Sequence, residues 1–258
     1  MPKNNNHAPS APLWAGQNFL TSGRAVRRLL DAAAIGQQDL VVEIGSGRGH
    51  ITRELLPRCG RLLAAELDPA LCRRLTERFG GQPNFRLYQG DFLQMPLPKE
   101  PYKAFANIPF GRTTEILRRL TNAPNPPEAA WLIVEQGAAK RFAGRPGENL
   151  TSLTLRPFFQ VRLAAFVPRT EFHPAPRVDA ALLELVRRDQ PDLPLTERRL
   201  YRAFLERAWK RGLGSMLTRR QAAVALRLAG LPPAEDANLK YVQWLCLFRC
   251  WSALPGRK

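Results

Sequence analysis

Apolar residues fall in short runs along this chain, separated by glycine- and proline-containing turns and by stretches with helical spacing. Residues 40–44 (Leu-Val-Val-Glu-Ile) form a nearly continuous apolar run of strand length. Residues 62–66, 104–107 and 129–135 repeat it, and residues 85–89 (Phe-Arg-Leu-Tyr-Gln) read as a further short strand. Between these runs, residues 24–34, 50–56, 70–79, 113–120 and 136–142 carry apolar positions at helical spacing, and Thr21 or Ser22 suits the N-cap of the first. Strands that alternate with helices predict an α/β fold with a largely parallel sheet. Residues 150–159 read as a helix up to Pro157. Residues 161–167 and 178–186 alternate enough to pair as two last strands.

After Arg188 the pattern changes. Residues 189–194 are polar and proline-containing, and no strand pattern follows them. Thr196 is the expected N-cap of a helix through Lys210, and residues 239–251 form an apolar-faced helix. The organisation expected is a disordered polar tail over residues 1–12, an α/β domain over 13–188 and a small helical domain over 189–258.

Several strand ends carry residues suited to a ligand. Gly45-Ser46-Gly47-Arg48-Gly49 links the first run to its helix, the strand–turn–helix of nucleotide-binding folds. Its G-x-G-x-G spacing is shorter than the dinucleotide form and suits a ligand without a pyrophosphate. Glu66 ends the second strand about 20 residues later, where an acid can accept from ribose hydroxyls. Gly90-Asp91-Phe92 follows the third; Asp91 can accept from an adenine amine while Phe92 packs on the ring, or the three residues form a plain Asx turn.

Asn107-Ile108-Pro109-Phe110 ends the fourth strand. Asn107 offers a carbonyl acceptor and an amide donor. Pro109 lacks an N–H, which leaves the preceding carbonyl free, and Phe110 offers a ring face. Two acceptors and a ring fit a planar base with an exocyclic amine; a strand-to-helix turn over a buried Phe110 fits the same four residues. In an open α/β sheet all these strand ends face one crevice. Further on, prolines stiffen Phe172-His173-Pro174-Ala175-Pro176-Arg177 and fix Phe172, and His173 reads as a loop residue.

Composition adds a partner class. The chain has 258 residues, 39 Lys and Arg against 22 Asp and Glu, a net charge of +17 and a pI near 10.9. Such a chain attracts polyanions, nucleic acid above all. Arg198, Arg199, Arg202, Arg207, Lys210 and Arg211 share one expected helix, with Arg219, Arg220 and Arg227 beyond it. This is a phosphate-contacting surface or a solvated face. No run reaches the ~18 apolar residues of a membrane span, and the N-terminus does not read as a signal peptide. The four cysteines form no C-x-x-C pair and there are only three histidines, so no zinc site is expected. Cys246 and Cys250 lie one helical turn apart in an apolar run and read as core. This cysteine usage suits the cytoplasm.

Taken together, Gln17-Asn18-Phe19-Leu20, Glu43-Ile44-Gly45-Ser46-Gly47-Arg48-Gly49, Glu66-Leu67-Asp68, Gly90-Asp91-Phe92, Asn107-Ile108-Pro109-Phe110 and Phe172-His173-Pro174-Ala175-Pro176-Arg177-Val178 resemble, in order, the motifs of the rRNA adenine dimethyltransferases. The resemblance implies a Rossmann-like methyltransferase fold, S-adenosyl-L-methionine as cofactor and a small all-α C-terminal domain. Asn107-Ile108-Pro109-Phe110 is similar to the Erm macrolide-resistance branch, which modifies one adenine in the peptidyl transferase region of 23S rRNA. The branch that dimethylates two adenines of 16S rRNA usually carries N-L-P-Y.

By that resemblance Asn18 and Leu20 line the methionine end of the cofactor site, with Gly45 beneath it. Glu66 holds the ribose, Asp91 holds the adenine amine, and Asn107 stands where cofactor and target meet. Phe110 and Phe172 clamp the target base. The partner implied is 23S rRNA, acted on by a monomer without a metal. The readings set against it are a 16S rRNA dimethyltransferase, an inactive RNA-binding or transcription-factor relative, a DNA adenine methyltransferase and a nicotinamide dehydrogenase.

Overall fold

The structure is a computed structural model that describes residues 18–233 and 239–254. The expected N-terminal tail and Gln17 lie outside the described residues. The strands are β1 (Phe19–Leu20), β2 (Leu40–Ile44), β3 (Arg61–Glu66), β4 (Phe85–Gln89), β5 (Lys103–Asn107), β6 (Ala129–Glu135), β7 (Phe159–Val167), β8 (Phe172–His173) and β9 (Ala180–Arg187). The helices are α1 (Gly23–Asp31), α2 (His50–Leu55), α3 (Pro69–Phe79), α4 (Thr113–Thr121), α5 (Gln136–Phe142), α6 (Leu150–Leu155), α7 (Arg198–Arg211), α8 (Arg219–Leu228) and α9 (Tyr241–Ser252).

Seven strands form one sheet in the order β4-β3-β2-β5-β6-β9-β7, and β1 pairs separately with β8. Strands β2 to β6 run parallel, while β9 is antiparallel to both β6 and β7. Both faces are covered, which is why the central strands read as continuous apolar runs. Leu40, Val42 and Ile44 of β2 and Ala130, Leu132 and Val134 of β6 point to one face. Val41, Trp131 and Ile133 point to the other, against α1 and α2. Strand order reverses at β2, whose neighbours are β3 and β5, so the crevice for a ligand opens beyond the ends of these three strands.

Local chemistry sets the helix starts. Ser22 caps α1 through the Ala25 N–H, and Asp68 caps α3 through the Ala70 and Leu71 N–H groups. Thr218 and Gln221 form a capping box on α8. Thr196 does not cap α7: it lies in a 3₁₀ turn, Leu195–Glu197, which runs into the helix with Glu197 at the N-cap position and no side-chain cap bond. The helix expected up to Pro157 is short, because α6 ends at Leu155 and Phe159 already pairs with Arg187 in the sheet.

The C-terminal helices are all amphipathic about one centre. Tyr201, Phe204 and Leu205 of α7 are buried, and Phe204 packs its ring against Trp244, Phe248 and Trp251 of α9. That centre is continuous with the sheet face carrying Leu132 and Leu183, through Leu155, Phe158 and Phe159. Cys246 and Cys250 are half-buried free thiols at its edge.

Candidate functional site

The parallel register brings the site together. Ile44 pairs with Ala65 on one side and Ala106 on the other, so Gly45, Glu66 and Asn107 stand side by side at the ends of β2, β3 and β5. Adjacent strands are about 4.8 Å apart, so these groups lie within one small ligand's span. Gln89 pairs with Glu66, which brings Asp91 to the same edge one strand further on.

The glycine turn closes tightly on itself. Gly45 N–H donates to the Ala65 carbonyl at 2.8 Å, and Gly49 N–H to the Ser46 carbonyl at 2.9 Å. Gly45 has φ +71° and open space where a Cβ would stand, so its backbone is bare to the crevice. At Gly47 the need is steric as well: a Cβ there would lie 2.9 Å from Cε1 of Phe19. Phe19 therefore packs down on the turn, with the Arg48 guanidinium 4.7 Å from its ring centroid.

Glu66 is buried and accepts three backbone N–H bonds. Its Oε2 takes Gly47 N–H at 2.7 Å, and its Oε1 takes those of Leu67 and Asp68 at 2.8 and 2.9 Å. A carboxylate has about four acceptor positions, so one remains here, on the oxygen shared with the glycine turn. Asp91 accepts from Leu93 N–H at 2.9 Å through Oδ1 and pairs with Arg112 through Oδ2.

Asn107 is held by its own amide, which donates to the Asn18 carbonyl at 2.8 Å. The side-chain oxygen is left as the acceptor. Ile108 N–H bonds Ile133 of β6, and among the described residues no donor meets the Ile108 carbonyl. Pro109 and Phe110 then enter a 3₁₀ turn, Phe110–Arg112, that leads into α4. Phe110 is half-buried, with one side against the core and the rest open.

Two aromatics stand elsewhere than expected. Phe92 is buried in the sheet core, so it does not face an adenine. Phe172 pairs with Leu20 across β1 and β8 and is only 4% exposed, which leaves it no open ring face for a base. Leu20 is 2% exposed, so only its backbone can meet a ligand. His173 is exposed on β8.

Two polar features were not read as functional from sequence. Glu43 is the lone carboxylate in the fully buried strand β2; its Oε2 accepts from the Thr52 hydroxyl at 2.7 Å, while Oε1 meets no donor at hydrogen-bonding distance among the described residues. Burial pushes its carboxyl up to about 7, against the pull of that hydroxyl. A charge inside an apolar run was the signal available. The other is Arg112, whose partner Asp91 lies 21 residues back, a distance that no local pattern reveals.

A cleft of about 110 Å³ starts one helical turn beyond Phe110. It is lined by Thr114, Leu117 and Arg118 of α4, Phe158 below, and Arg198 and Arg202 of α7. Arg198 lies 4.2 Å over the Phe158 ring and bonds the Thr121 carbonyl. Among the described residues, no group of three or more His, Cys, Asp or Glu could hold a metal, and no helix is long and apolar enough to cross a membrane.

The ribosomal RNA adenine dimethylase family matches residues 14–222. An rRNA adenine N-6-methyltransferase of Lysinibacillus sphaericus is 30% identical over 241 residues, 93% of this chain and 96% of that protein. A ribosomal RNA small subunit methyltransferase A of Synechococcus is 35% identical over 252 residues, 90% of this chain and 89% of that protein. The crystal structure of 23S rRNA methyltransferase ErmE superposes with a TM-score of 0.81 at 30% identity, over 91% of this chain and 100% of that one. With the strand-end crevice, the glycine turn and these matches over nearly its whole length, the chain belongs to the ribosomal RNA adenine dimethylase family of S-adenosyl-L-methionine-dependent methyltransferases.

Proposed function

We propose that this methyltransferase modifies the exocyclic amine of an adenine in the peptidyl transferase region of 23S rRNA and so gives resistance to macrolide-class antibiotics. The carrying observation is Asn107-Ile108-Pro109-Phe110, two free acceptors and a half-open ring at one corner of the crevice. The similarity to ErmE and the Asn-Ile-Pro-Phe spelling favour 23S over 16S rRNA. The likeness to a small subunit methyltransferase keeps 16S rRNA as the second reading.

The residues present fit the cofactor. Gly45 offers a bare backbone cradle, Asn18 flanks it, and Glu66 and Asp91 each keep an acceptor position for ribose and adenine. When bound, the cofactor supplies an activated methyl group on sulfonium sulfur. The target amine is a poor nucleophile because its lone pair is delocalised into the purine. The Asn107 side-chain oxygen and the Ile108 carbonyl accept its two hydrogens, which turns the lone pair toward the methyl group. Phe110 stacks on the flipped base. Phe172 supports it from below by holding β1 rather than by stacking. Alignment of the reacting atoms carries much of the acceleration.

The flanking strand of RNA runs along α4 into the cleft, where Arg118 is exposed with no ion pair among the described residues, and Arg198 and Arg202 stand opposite, Arg202 paired with Glu206. Helices α7 and α8 extend this surface. Trp209 of α7 is 50% exposed between Arg207, Lys210 and Arg211, a ring for an unpaired base set among phosphate contacts. The protein acts as a monomer. Primer extension on 23S and 16S rRNA from cells expressing the chain tests the reading: a stop in the peptidyl transferase region supports it, and a stop only near the 3′ end of 16S rRNA replaces it with the second.

A further inference from the structure

Asp91, the acid placed for the cofactor's adenine, is tied to the target-base loop by one arginine. Arg112 points both Nη1 and Nη2 at Asp91 Oδ2, each at 3.3 Å, and its Nε at Glu115 Oε2 at 3.2 Å. The side chains of Arg112 and Asp91 are 24% and 30% exposed, so the pair is only partly screened by water. Arg112 also closes the 3₁₀ turn that Phe110 opens, and its N–H donates to the Pro109 carbonyl at 2.8 Å. One residue thus fixes the loop that carries the stacking ring and grips the acid at the far end of the cofactor site.

The acceptor count allows both partners at once. Leu93 N–H takes one position on Asp91 Oδ1 and the guanidinium takes both positions on Oδ2. One position on Oδ1 stays open for an amine hydrogen. An amine seated there fixes the carboxylate, the carboxylate fixes the guanidinium fork, and the fork fixes the Phe110 turn. A fork makes this link directional in a way that a single ammonium does not.

We propose that Arg112 is a positioning residue that couples occupancy of the cofactor's adenine site to the order of the target-base pocket. The coupling to RNA rests on the proposed function; the coupling to Phe110 does not. Two measurements separate them. With 4-fluorophenylalanine at position 110, S-adenosylhomocysteine should shift and sharpen the fluorine resonance in the parent protein. Arg112→Ala should remove that response while still binding S-adenosylhomocysteine within about threefold, and Arg112→Lys should restore only part of it. An equal fluorine response in the parent and in Arg112→Ala overturns the inference.

In the second measurement, S-adenosylhomocysteine should tighten binding of a 23S peptidyl transferase hairpin about five- to tenfold in the parent, and by less than twofold in Arg112→Ala. A parent protein with the fluorine response but no affinity for the hairpin would overturn the substrate reading and leave the link standing. Equal tightening in both proteins would overturn the link.

Discussion

The side-chain amide of Asn107 donates to the main-chain carbonyl of Asn18 at 2.8 Å, so the segment before β1 sets which way the Asn107 oxygen faces. Asn107→Ala removes both the acceptor and this anchor. Its kcat should fall by about 10²-fold or more, as for other oriented hydrogen-bonding groups, with RNA affinity in a gel shift unchanged. Asn107→Asp keeps an acceptor but cannot donate to Asn18, and its loss should be smaller. Normal turnover by Asn107→Ala would remove the residue from the mechanism.

Phe110 and Phe172 make opposite predictions. Stacking of a base on an aromatic ring contributes about 1–3 kcal/mol, so Phe110→Ala should lose roughly 10- to 100-fold in kcat/KM, while Phe110→Tyr stays active. Phe172→Leu should lower Tm because the ring is buried under β1, with kcat in folded protein changed by about threefold or less. A large loss of kcat in Phe172→Leu at unchanged Tm would return that ring to the base clamp.

Gly47 is constrained twice, by its φ of +56° and by Phe19 above it. Gly47→Ala should lower stability by about 1 kcal/mol or more and raise the KM for S-adenosyl-L-methionine. Adding Phe19→Leu removes the ring that meets the new methyl but leaves the backbone strain, so Tm should recover in part only. Full recovery would show that the glycine is required for space alone.

Glu43 makes stability depend on pH. Its folded value is about 7, above that of a carboxyl in the unfolded chain, so the folded state holds a proton that the unfolded state has released. The resulting cost is absent below the unfolded value near 4.5, grows as pH rises to about 7 and is constant above, at roughly 3 kcal/mol. Urea unfolding of Glu43→Gln should therefore show a stability gain over the parent that widens from pH 5 to pH 7 and then levels. A gain independent of pH would mean that Glu43 is charged in the fold.

Much of this architecture is visible in the chain itself. The runs at 40–44, 62–66 and 129–135 are nearly continuous because both sheet faces are covered, and the residues after them become the crevice. Of the two candidate caps Thr21 and Ser22, it is Ser22 that caps α1. What is not visible depends on distant partners. Phe92 and Phe172 read as available rings because nothing local says that the core and β1 cover them. The bond that ties Glu66 to the glycine turn crosses 19 residues, so the sequence does not show that one of its acceptor positions is already filled from there. Thr196 has a capping side chain, but the 3₁₀ turn moves the helix start past it.

The apolar centre shared by the sheet and the last three helices limits how this protein can be cut or recombined. Severing the chain after residue 188 would strip Phe158, Phe159 and Leu155 of their cover, and the remaining α/β piece should precipitate rather than persist as a smaller enzyme. A graft of the arginine-bearing helices from a relative would have to bring along the sheet face on which they rest.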